Sequence, residues 1–581
     1  SRYFGRLSAA LSAGEQVNKV LVIEPTTTAW MYQADSEHSE HLKKVGDEFQ
    51  ELVVELAKAQ LEYDIGCEEI IRQHGSVEGS ALKVGKRRYE TVVLPPLTEN
   101  LNSETMELLE AYVKGGGEVM CCGEPPVLVD GVESNRGKAL SENIWWREVG
   151  AGTIAGILVS ESNDGFAIHR GRDDEGILYH HRRLVDDSEI LFLVNTSIDS
   201  GSRGKIESSM RGVERWDPET GKILPYAFER TDDGIKADFD LARCGSLLLF
   251  LSKEPTESAA VEAATSRQVG PAGLLRVRRV TPNVLKLDYV DVTADGETME
   301  NTYFYKAAEF VFKKHGLGRN PWDHAVQFRD ELISKKFAAD SGFEATYRFS
   351  IKKKVPKPLY IVVERPDLYE ISCNGKVVTA PEGSWWLDRA FGKVDITSAA
   401  KVGENAVTIK ASPMTMFHEL ESAYVLGDFA LKAADSGFVI VPDKGIKLGR
   451  WDEQGHPFYG SGVSYTQNFN ISEATGRYHV RLPSWYGSVA KVVVNGEAAG
   501  YIWHQPWELE VTEQVKAGRN SIEVTVIGTL KNTLGPHHGE PSPGTAWPGM
   551  FRNGPRTGPP AGEQYETIGY GLFEPFELHR R

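Results

Sequence analysis

The chain has 581 residues, too many for one hydrophobic core, so it is expected to divide into roughly three to five domains. Its composition, 41% hydrophobic and 25% charged, is that of an ordinary globular protein, and no apolar run is long enough to span a membrane. The 82 acidic and 65 basic residues leave a net charge of −17, which disfavours nucleic acid and membranes as partners and suits a neutral substrate.

The first 150 residues alternate helical and strand patterns. An amphipathic helix opens the chain with Phe4, Leu7 and Leu11 on one face, and the buried strand Val20–Ile23 follows it. We therefore predict that residues 1–150 form an open parallel α/β sheet, either flavodoxin-like or amidotransferase-like. Because the apolar face of the opening helix is larger than a free terminus usually carries, we expect it to pack against a polypeptide segment outside this sequence.

Two features of this domain could suggest a site, but each has a simpler interpretation. The run Gly115-Gly116-Gly117 follows a helix and precedes a strand, so it is expected to end the helix rather than to hold a phosphate. The adjacent Cys121 and Cys122 lack the small-residue elbow that exposes a nucleophilic thiol, and we expect them to be buried.

Residues 151–255 change to β patterning. Apolar alternation in "EILFLVNTS" and "GSLLLFLS", with turns at Asp217-Pro218 and Asp233-Gly234, predicts a small antiparallel β domain. The low-complexity residues 256–272 are predicted to be a linker.

The rest of the chain contains a sequence repeat, which predicts two antiparallel β-sandwiches at residues 273–440, with an aromatic insertion, and 441–581. In both copies an Asn-Gly turn links two strands, and a Gly-x-Asn motif opens the closing strand. The matching positions are Asn374-Gly375 and Gly403-x-Asn405 in the first copy, and Asn495-Gly496 and Gly518-x-Asn520 in the second.

This repeated pattern resembles the galactose-binding-like jelly rolls that are attached to large glycoside hydrolases. The collinear order of "KVLVIEP", "YETVVLPPL", "RWDPETGK", "HELESAYVLGDF" and "NTLGPHHG" looks like the C-terminal half of multidomain glycoside hydrolases, typified by the barrel-plus-sandwich α-L-rhamnosidases. Barrel-type β-galactosidases also carry an amidotransferase-like domain after the barrel.

The resemblance implies the accessory, post-barrel region of a carbohydrate-active enzyme that acts on plant or algal polysaccharide or oligosaccharide. The catalytic carboxylates would lie on a preceding (β/α)₈ barrel of about 250 residues, which this sequence does not contain. That barrel, or a second chain, would then be the partner of the opening helix. The resemblance also favours a periplasmic or secreted location and allows a calcium site. The alternatives are a non-catalytic carbohydrate-binding or scaffold protein and an amidotransferase-like enzyme.

Within "HELESAYVLGDF", Glu419 and Glu421 are the candidates for a catalytic pair, with His418 as a possible proton carrier or substrate contact. The same residues could instead touch a substrate held in the barrel, or form a solvated or loop-bracing cluster. His537 and His538 invite a metal-site interpretation, but consecutive residues of an extended strand point to opposite faces, and a structural loop is the simpler expectation.

Tryptophans are the other candidate binding residues, because the apolar face of a sugar packs on an indole ring. Trp385 and Trp386 in the first sandwich, and Trp503 and Trp507 in the second, are predicted to bind substrate. The alternative is that these rings fill the sandwich cores.

Overall fold

The computed structural model divides into two compact units, Ser1–Ala263 with His504–Pro506 and Ala264–Trp503 with Trp507–Arg581. The finer domain boundaries given above stay a prediction, and residues 260–265 of the expected linker lie outside the described part. Among the described helices, none combines the length and apolarity that a membrane crossing requires. The structure describes residues 2–16, 18–34, 36–162, 164–259, 266–539, 547–555 and 558–581.

The first unit begins with a five-stranded parallel sheet in the order β2-β1-β6-β8-β11, which is the flavodoxin-like strand order. Its central strands are short apolar runs buried on both faces, as expected where helices cover both sides of a parallel sheet. The predicted α/β fold is therefore confirmed. The strands of this domain are β1 (Val20–Ile23), β2 (Tyr63–Gly66), β3 (Gly75–Glu78), β4 (Ala81–Val84), β5 (Arg87–Tyr89), β6 (Thr91–Leu94), β7 (Asn100–Leu101), β8 (Glu118–Cys121), β9 (Leu128–Val129), β10 (Val132–Glu133) and β11 (Trp146–Glu148).

The glycine run ends a helix and the two adjacent cysteines are buried, as the sequence predicts. Helix α5 ends at Lys114 and Gly115 is its C-cap, while Cys121 and Cys122 are both buried. Burial raises the pKa of the Cys122 thiol to about 12, so it stays protonated. The helices are α1 (Arg2–Ser12), α2 (Thr26–Gln33), α3 (Ser39–Lys58), α4 (Glu68–His74), α5 (Ser103–Lys114), α6 (Arg136–Ser141) and α7 (Ala151–Glu161).

An antiparallel sandwich follows, which we call the N-terminal sandwich. Its two sheets have the orders β12-β15-β19-β18 and β13-β14-β20-β16-β17, and the alternating apolar residues of both sheets form one core. Its strands are β12 (Phe166–Arg170), β13 (Leu178–Val185), β14 (Ser188–Asn195), β15 (Ser202–Ser208), β16 (Gly212–Trp216), β17 (Ile223–Pro225), β18 (Glu229–Thr231), β19 (Gly234–Leu241) and β20 (Ser246–Ser252).

Helix α1 does not pack as the sequence suggested. Leu7 and Leu11 contact the outer face of the N-terminal sandwich, in a cluster with Ile190, Leu248 and other apolar residues of that sheet. The expectation that these side chains face a segment outside the sequence is therefore wrong, because this sheet has a second apolar face that the helix covers. Phe4 alone is 67% exposed.

The second unit holds two further sandwiches. Its elements are β21 (Arg267–Val269), β22 (Pro271–Arg279), β23 (Asn283–Leu287), β24 (Tyr289–Ala294), β25 (Glu297–Tyr303), α8 (Phe304–Lys314), α9 (Asp330–Ile333), β26 (Phe343–Ile351), β27 (Leu359–Glu364), β28 (Glu370–Cys373), β29 (Lys376–Val378), β30 (Trp385–Trp386), β31 (Asp388–Asp395), β32 (Gly403–Ala411), β33 (Ala423–Gly427), β34 (Ala430–Ala433), β35 (Phe438–Val441), β36 (Val463–Ile471), β37 (Tyr478–Arg481), β38 (Trp485–Tyr486), β39 (Val489–Val494), β40 (Glu497–Ile502), β41 (Glu508–Glu510), β42 (Gly518–Ile527), α10 (Lys531–Leu534), β43 (Gly571–Leu572) and β44 (Glu577–Arg580).

Strands β23 to β35 form the central sandwich, whose sheets have the orders β23-β33-β27-β31-β30 and β25-β24-β26-β32-β28-β29. The C-terminal sandwich consists of β36 to β44 together with β21 and β22. These two early strands pair with β44 and β36, so the C-terminal sandwich is built from both ends of the unit. The fold class predicted from the sequence, a parallel α/β sheet followed by antiparallel β-sandwiches, is confirmed.

The sequence repeat corresponds to a repeated pair of hydrogen-bonded asparagines, which we call the asparagine clamp. In the central sandwich the Asn374 side chain donates to Asn405 Oδ1 at 2.9 Å, and in the C-terminal sandwich Asn495 donates to Asn520 Oδ1 at the same distance. Asn374 and Asn495 both have positive φ at the first position of a two-residue hairpin, a conformation that asparagine tolerates.

The second asparagine of each clamp is buried and fully bonded. The Asn405 amide donates to the carbonyls of Lys401 and Gly403, and its oxygen accepts from the Lys401 N–H. Asn520 makes the same three bonds, with Lys516 and Gly518. Each clamp thus ties a hairpin to the loop that enters the closing strand.

Replacing a clamp asparagine is expected to destabilise the second unit strongly. Asn405→Ala or Asn520→Ala leaves several part-buried backbone groups without their side-chain partner, and we expect each to lower the free energy of unfolding by about 2–4 kcal/mol. Urea unfolding followed by fluorescence would measure this. Asn470→Ala, at an exposed position on β36, is the control, and equal stability of all three variants would contradict a structural role for the clamp.

Candidate functional site

Four of the candidate residues lie together in the central sandwich. His418, Glu419 and Glu421 precede β33, and Trp386 ends β30 in the same sheet. Tyr424 connects two of them, since its ring lies 5.2 Å from that of Trp386 and the charge of Glu421 raises its pKa. The other candidate tryptophans lie elsewhere.

Glu364, Glu419 and Glu421 form a group that we call the carboxyl cluster, and all three are half-buried. Burial raises the pKa of Glu419 to about 7, with a further rise from the charge of Glu364. Burial also raises the pKa of Glu421 well above its usual value, with smaller contributions from Glu419 and Glu364. The cluster therefore retains protons at a pH where an exposed glutamate has none.

Two tyrosines, Tyr303 and Tyr424, interact electrostatically with this cluster through Glu421. Tyr303 and Tyr424 are 2% and 5% exposed, and neither hydroxyl has a hydrogen-bond partner among the described residues. Burial raises the pKa of both, and the charge of Glu421 raises it further. Such groups can donate to and accept from a ligand that reaches them.

The buried residues Lys286 and Asp288 interact electrostatically, and Lys286 also interacts with Glu421. The Lys286 ammonium donates to the Leu534 carbonyl at 2.8 Å, and burial lowers its pKa although Asp288 and Glu421 act in the opposite direction. Asp288 accepts hydrogen bonds from His538 at 3.0 Å and from Tyr565 at 2.9 Å. These bonds fix the loop that contains His538 against strand β23.

Both ring nitrogens of His418 are hydrogen-bonded to the backbone, so this side chain has a structural role and is not available as a base. Its Nδ1 accepts from the Thr415 N–H at 2.9 Å, and its Nε2 donates to the Leu368 carbonyl at 2.9 Å. Its ring packs edge-on against Tyr369, whose hydroxyl donates to the Glu419 carbonyl. These contacts hold the loop that carries Glu419 and leave neither nitrogen of His418 free for proton transfer.

Three candidate tryptophans lie outside this site. Trp385 is 50% exposed on the edge strand β30. In the C-terminal sandwich, Trp507 packs against Trp485 with the ring centroids 5.2 Å apart, whereas Trp503 is 36% exposed. Their binding of a substrate stays a prediction.

The sequence analysis missed Lys286, Asp288, Glu364, Tyr303 and Tyr424. A signal was present for the first two, since "NVLKLDYV" places a lysine and an aspartate in an otherwise apolar run where both faces are expected to be buried. No comparable signal marks the tyrosines. Residues of this kind are common in sandwich cores, and only their neighbours distinguish them.

His537 and His538 have structural partners. His537 Nε2 donates to the Asn532 carbonyl at 2.8 Å, and His538 contacts Asp288 as described. Across the described ranges, no three His, Cys, Asp or Glu side chains are grouped so that they could hold a metal ion.

Taken together, these groups suit a polyhydroxylated ligand. The aromatic pair Trp386 and Tyr424 offers an apolar wall, and protonated carboxyls and free hydroxyls can both donate and accept hydrogen bonds. A small number of polar groups beside aromatic surface is the usual composition of a small-molecule site.

Comparisons with known proteins agree with this fold. No protein-family model matches the chain. In sequence it is 33% identical over 545 residues to a protein of Formosa agariphila named putative β-glucuronidase, with 77% of this chain and 45% of that protein covered. In structure, the whole chain matches 40% of a rhamnosidase from Novosphingobium sp. PP1Y, with a TM-score of 0.50 and 15% identity.

A weaker match is the α-L-rhamnosidase of Streptomyces avermitilis, with a TM-score of 0.20 and 11% identity over 62% of this chain and 36% of that one. The chain spans less than half the length of each of these three proteins. It is a glycoside hydrolase-like multidomain protein.

The raised pKa of Glu419 predicts a specific pH dependence of stability. Because the folded pKa of about 7 lies above the usual value of 4.5, the stabilising contribution of the neutral form is complete below about pH 4.5 and is lost as the pH rises through 7. Thermal melting of the Glu419→Gln variant between pH 5 and 8 should therefore show a smaller decrease than the native chain. The exposed Glu382→Gln variant is the control, and equal pH profiles for all three proteins would refute the assignment.

Proposed function

We propose that this chain is the accessory region that follows the catalytic barrel of an α-L-rhamnosidase-like glycoside hydrolase, acting on a plant or algal polysaccharide or oligosaccharide. In this proposal the carboxyl cluster and the Trp386–Tyr424 pair bind part of the carbohydrate. The observation that supports the binding role is two tyrosine hydroxyls, without a hydrogen-bond partner among the described residues, beside carboxyls of raised pKa and an aromatic pair.

The accessory role is supported by the extent of the similarities. The whole chain corresponds to only 40% of the rhamnosidase that it matches, so a large part of that protein has no counterpart here. In the described part of the chain the parallel sheet has five strands, fewer than the eight of a (β/α)₈ barrel. We infer that the catalytic carboxyls belong to another domain and that the catalytic barrel is the partner of this region.

The name of the sequence relative suggests a second candidate sugar. A β-glucuronidase acts on a glucuronide, which carries a carboxylate, whereas rhamnose is uncharged. The carboxyl cluster favours the neutral sugar, since three carboxyls beside one lysine would repel an anionic ligand as they ionise. A non-catalytic carbohydrate-binding or scaffold protein remains the alternative function, and it would use the same site.

The chain by itself is expected to have no glycosidase activity. Aryl α-L-rhamnosides and aryl β-D-glucuronides should be hydrolysed no faster than in buffer, because no barrel positions an acid and a base across the glycosidic bond. Release of the chromophore would be the measurement. Turnover that copurifies with the chain and disappears in Glu419→Gln or Glu421→Gln would place catalysis in the carboxyl cluster and overturn this prediction.

Carbohydrate binding is expected to depend on the aromatic pair. Calorimetric titration with rhamnose-containing oligosaccharides should show at least roughly tenfold weaker binding for Trp386→Ala. Tyr424→Phe, which removes one hydroxyl, should weaken binding about three- to tenfold.

Trp145→Ala, at an exposed position in the α/β domain, is the matched control and should bind as the native chain does. Undiminished binding by both site variants, with their folds intact, would remove the proposed site. Tighter binding of glucuronate oligosaccharides than of rhamnose-containing ones would instead select the second candidate sugar.

A further inference from the structure

A second polar site lies in the first unit, far in sequence from the carboxyl cluster. A cavity of about 290 Å³ is present where the amino ends of the parallel strands β1, β2 and β6 meet strands β13 and β14 of the N-terminal sandwich. Leu158 and Leu184 contribute apolar wall, and Thr91 and Ser162 contribute hydroxyls. We call it the Arg182 cavity after its central cation.

Most charges around the Arg182 cavity are already paired. Arg182 Nη2 donates to Glu62 at 2.7 Å and to Asp164, and its guanidinium lies 4.3 Å from the centre of the Phe166 ring. Glu90 pairs with Lys19 at 3.2 Å, and Glu161 pairs with Arg147 at 3.1 Å. These ion pairs account for four of the carboxylates that line the cavity.

Three buried polar atoms at this site have no hydrogen-bond partner within the described residues. They are Arg182 Nη1, Glu189 Oε2 and His180 Nε2. The His180 side chain is only 3% exposed, and its Nε2 lies 3.8 Å from Glu62. Buried polar groups in folded proteins are almost always paired, so unpaired atoms of this kind indicate a missing ligand or water.

Arg182 and Glu189 both line the cavity, on neighbouring strands of one sheet. Leu184 is the cross-strand partner of Glu189, and Arg182 is two residues from Leu184 on the same face of the sheet. Diagonal neighbours of this kind have Cβ atoms about 7–8 Å apart. One small molecule with two polar groups can therefore reach both side chains.

We propose that the Arg182 cavity binds a small uncharged polyhydroxylated molecule, a polyol or a single monosaccharide unit. One hydroxyl donates to the Glu189 carboxylate, another accepts from the Arg182 guanidinium, and the C–H surface contacts Leu158 and Leu184. A single guanidinium among several carboxylates opposes an anion, and the same guanidinium opposes a cation placed next to it. This site is separate from the carboxyl cluster and does not depend on the function proposed for that cluster.

The test uses the full chain in the Trp386→Ala background, so that binding at the carboxyl cluster does not obscure the measurement. D-Glucose and L-rhamnose are titrated to about 100 mM and followed by calorimetry, with D-glucuronate as the anionic probe. We expect saturable binding of a neutral sugar with a Kd of order 1 mM, and markedly weaker binding of glucuronate. Hydrogen exchange should then slow in strands β13 and β14.

Two variants locate the binding. Ser162→Trp, at the exposed rim, should abolish it by closing the cavity, and Glu189→Gln should weaken it at least fivefold by replacing the charged acceptor. Glu229→Gln, on edge strand β18, is the matched control and should not change it. If Glu189→Gln does not fold, Ser162→Trp alone decides the question, because its substituted position is exposed.

The absence of saturable binding by the parent chain would mean that only water fills the cavity, and would overturn the proposal. Binding that survives in folded Ser162→Trp would place the ligand elsewhere and would also overturn it. Glucuronate bound as tightly as the neutral sugars would contradict the proposed ligand class.

Discussion

The asparagine clamp is the interaction on which both sandwiches of the second unit depend. In each sandwich a two-residue hairpin needs left-handed backbone at its first residue, and the asparagine there also reaches across to a buried asparagine on the closing strand. The second asparagine satisfies the loop that leads into that strand. One short motif thus fixes a turn, a loop and the register between them.

With the register fixed, the central sandwich can carry groups that disfavour folding. Lys286 lies in strand β23, whose residues are all buried, while Asp288 follows that strand and Glu421 precedes β33, and all three lie among tyrosines and apolar side chains. Burying these polar and charged side chains carries a desolvation penalty, which apolar side chains at the same positions would not have. Local conflicts of this kind between sequence and burial are expected at functional sites.

Two different kinds of polar cluster occur in the molecule. Around Asp288 the donors and acceptors are matched, since His538 and Tyr565 both donate to it, and the result is a fixed loop. Around the Arg182 cavity, polar atoms are left without partners among the described residues. Matched clusters hold a structure together, whereas unmatched ones that reach a cavity are suited to a ligand.

The sequence by itself determined the local structure and the class of fold. Alternation, Asn-Gly turns and the repeat predicted the sandwiches, and the alternation of helices and strands predicted the parallel sheet, because each pattern acts over a few residues. The same reasoning placed Glu419, Glu421, His418 and Trp386 among the candidate residues.

Only the tertiary structure decided which residues meet. Strand β22 pairs with β36 nearly 190 residues later, and helix α1 covers a sheet whose second apolar face could not be recognised from its own pattern. Lys286, Tyr303, Glu364 and Tyr424 come from four separate strands, and nothing in the local sequence of one indicates the others. Their proximity, and the raised pKa values that follow from shared burial, depend on long-range packing, which short-range sequence patterns do not encode.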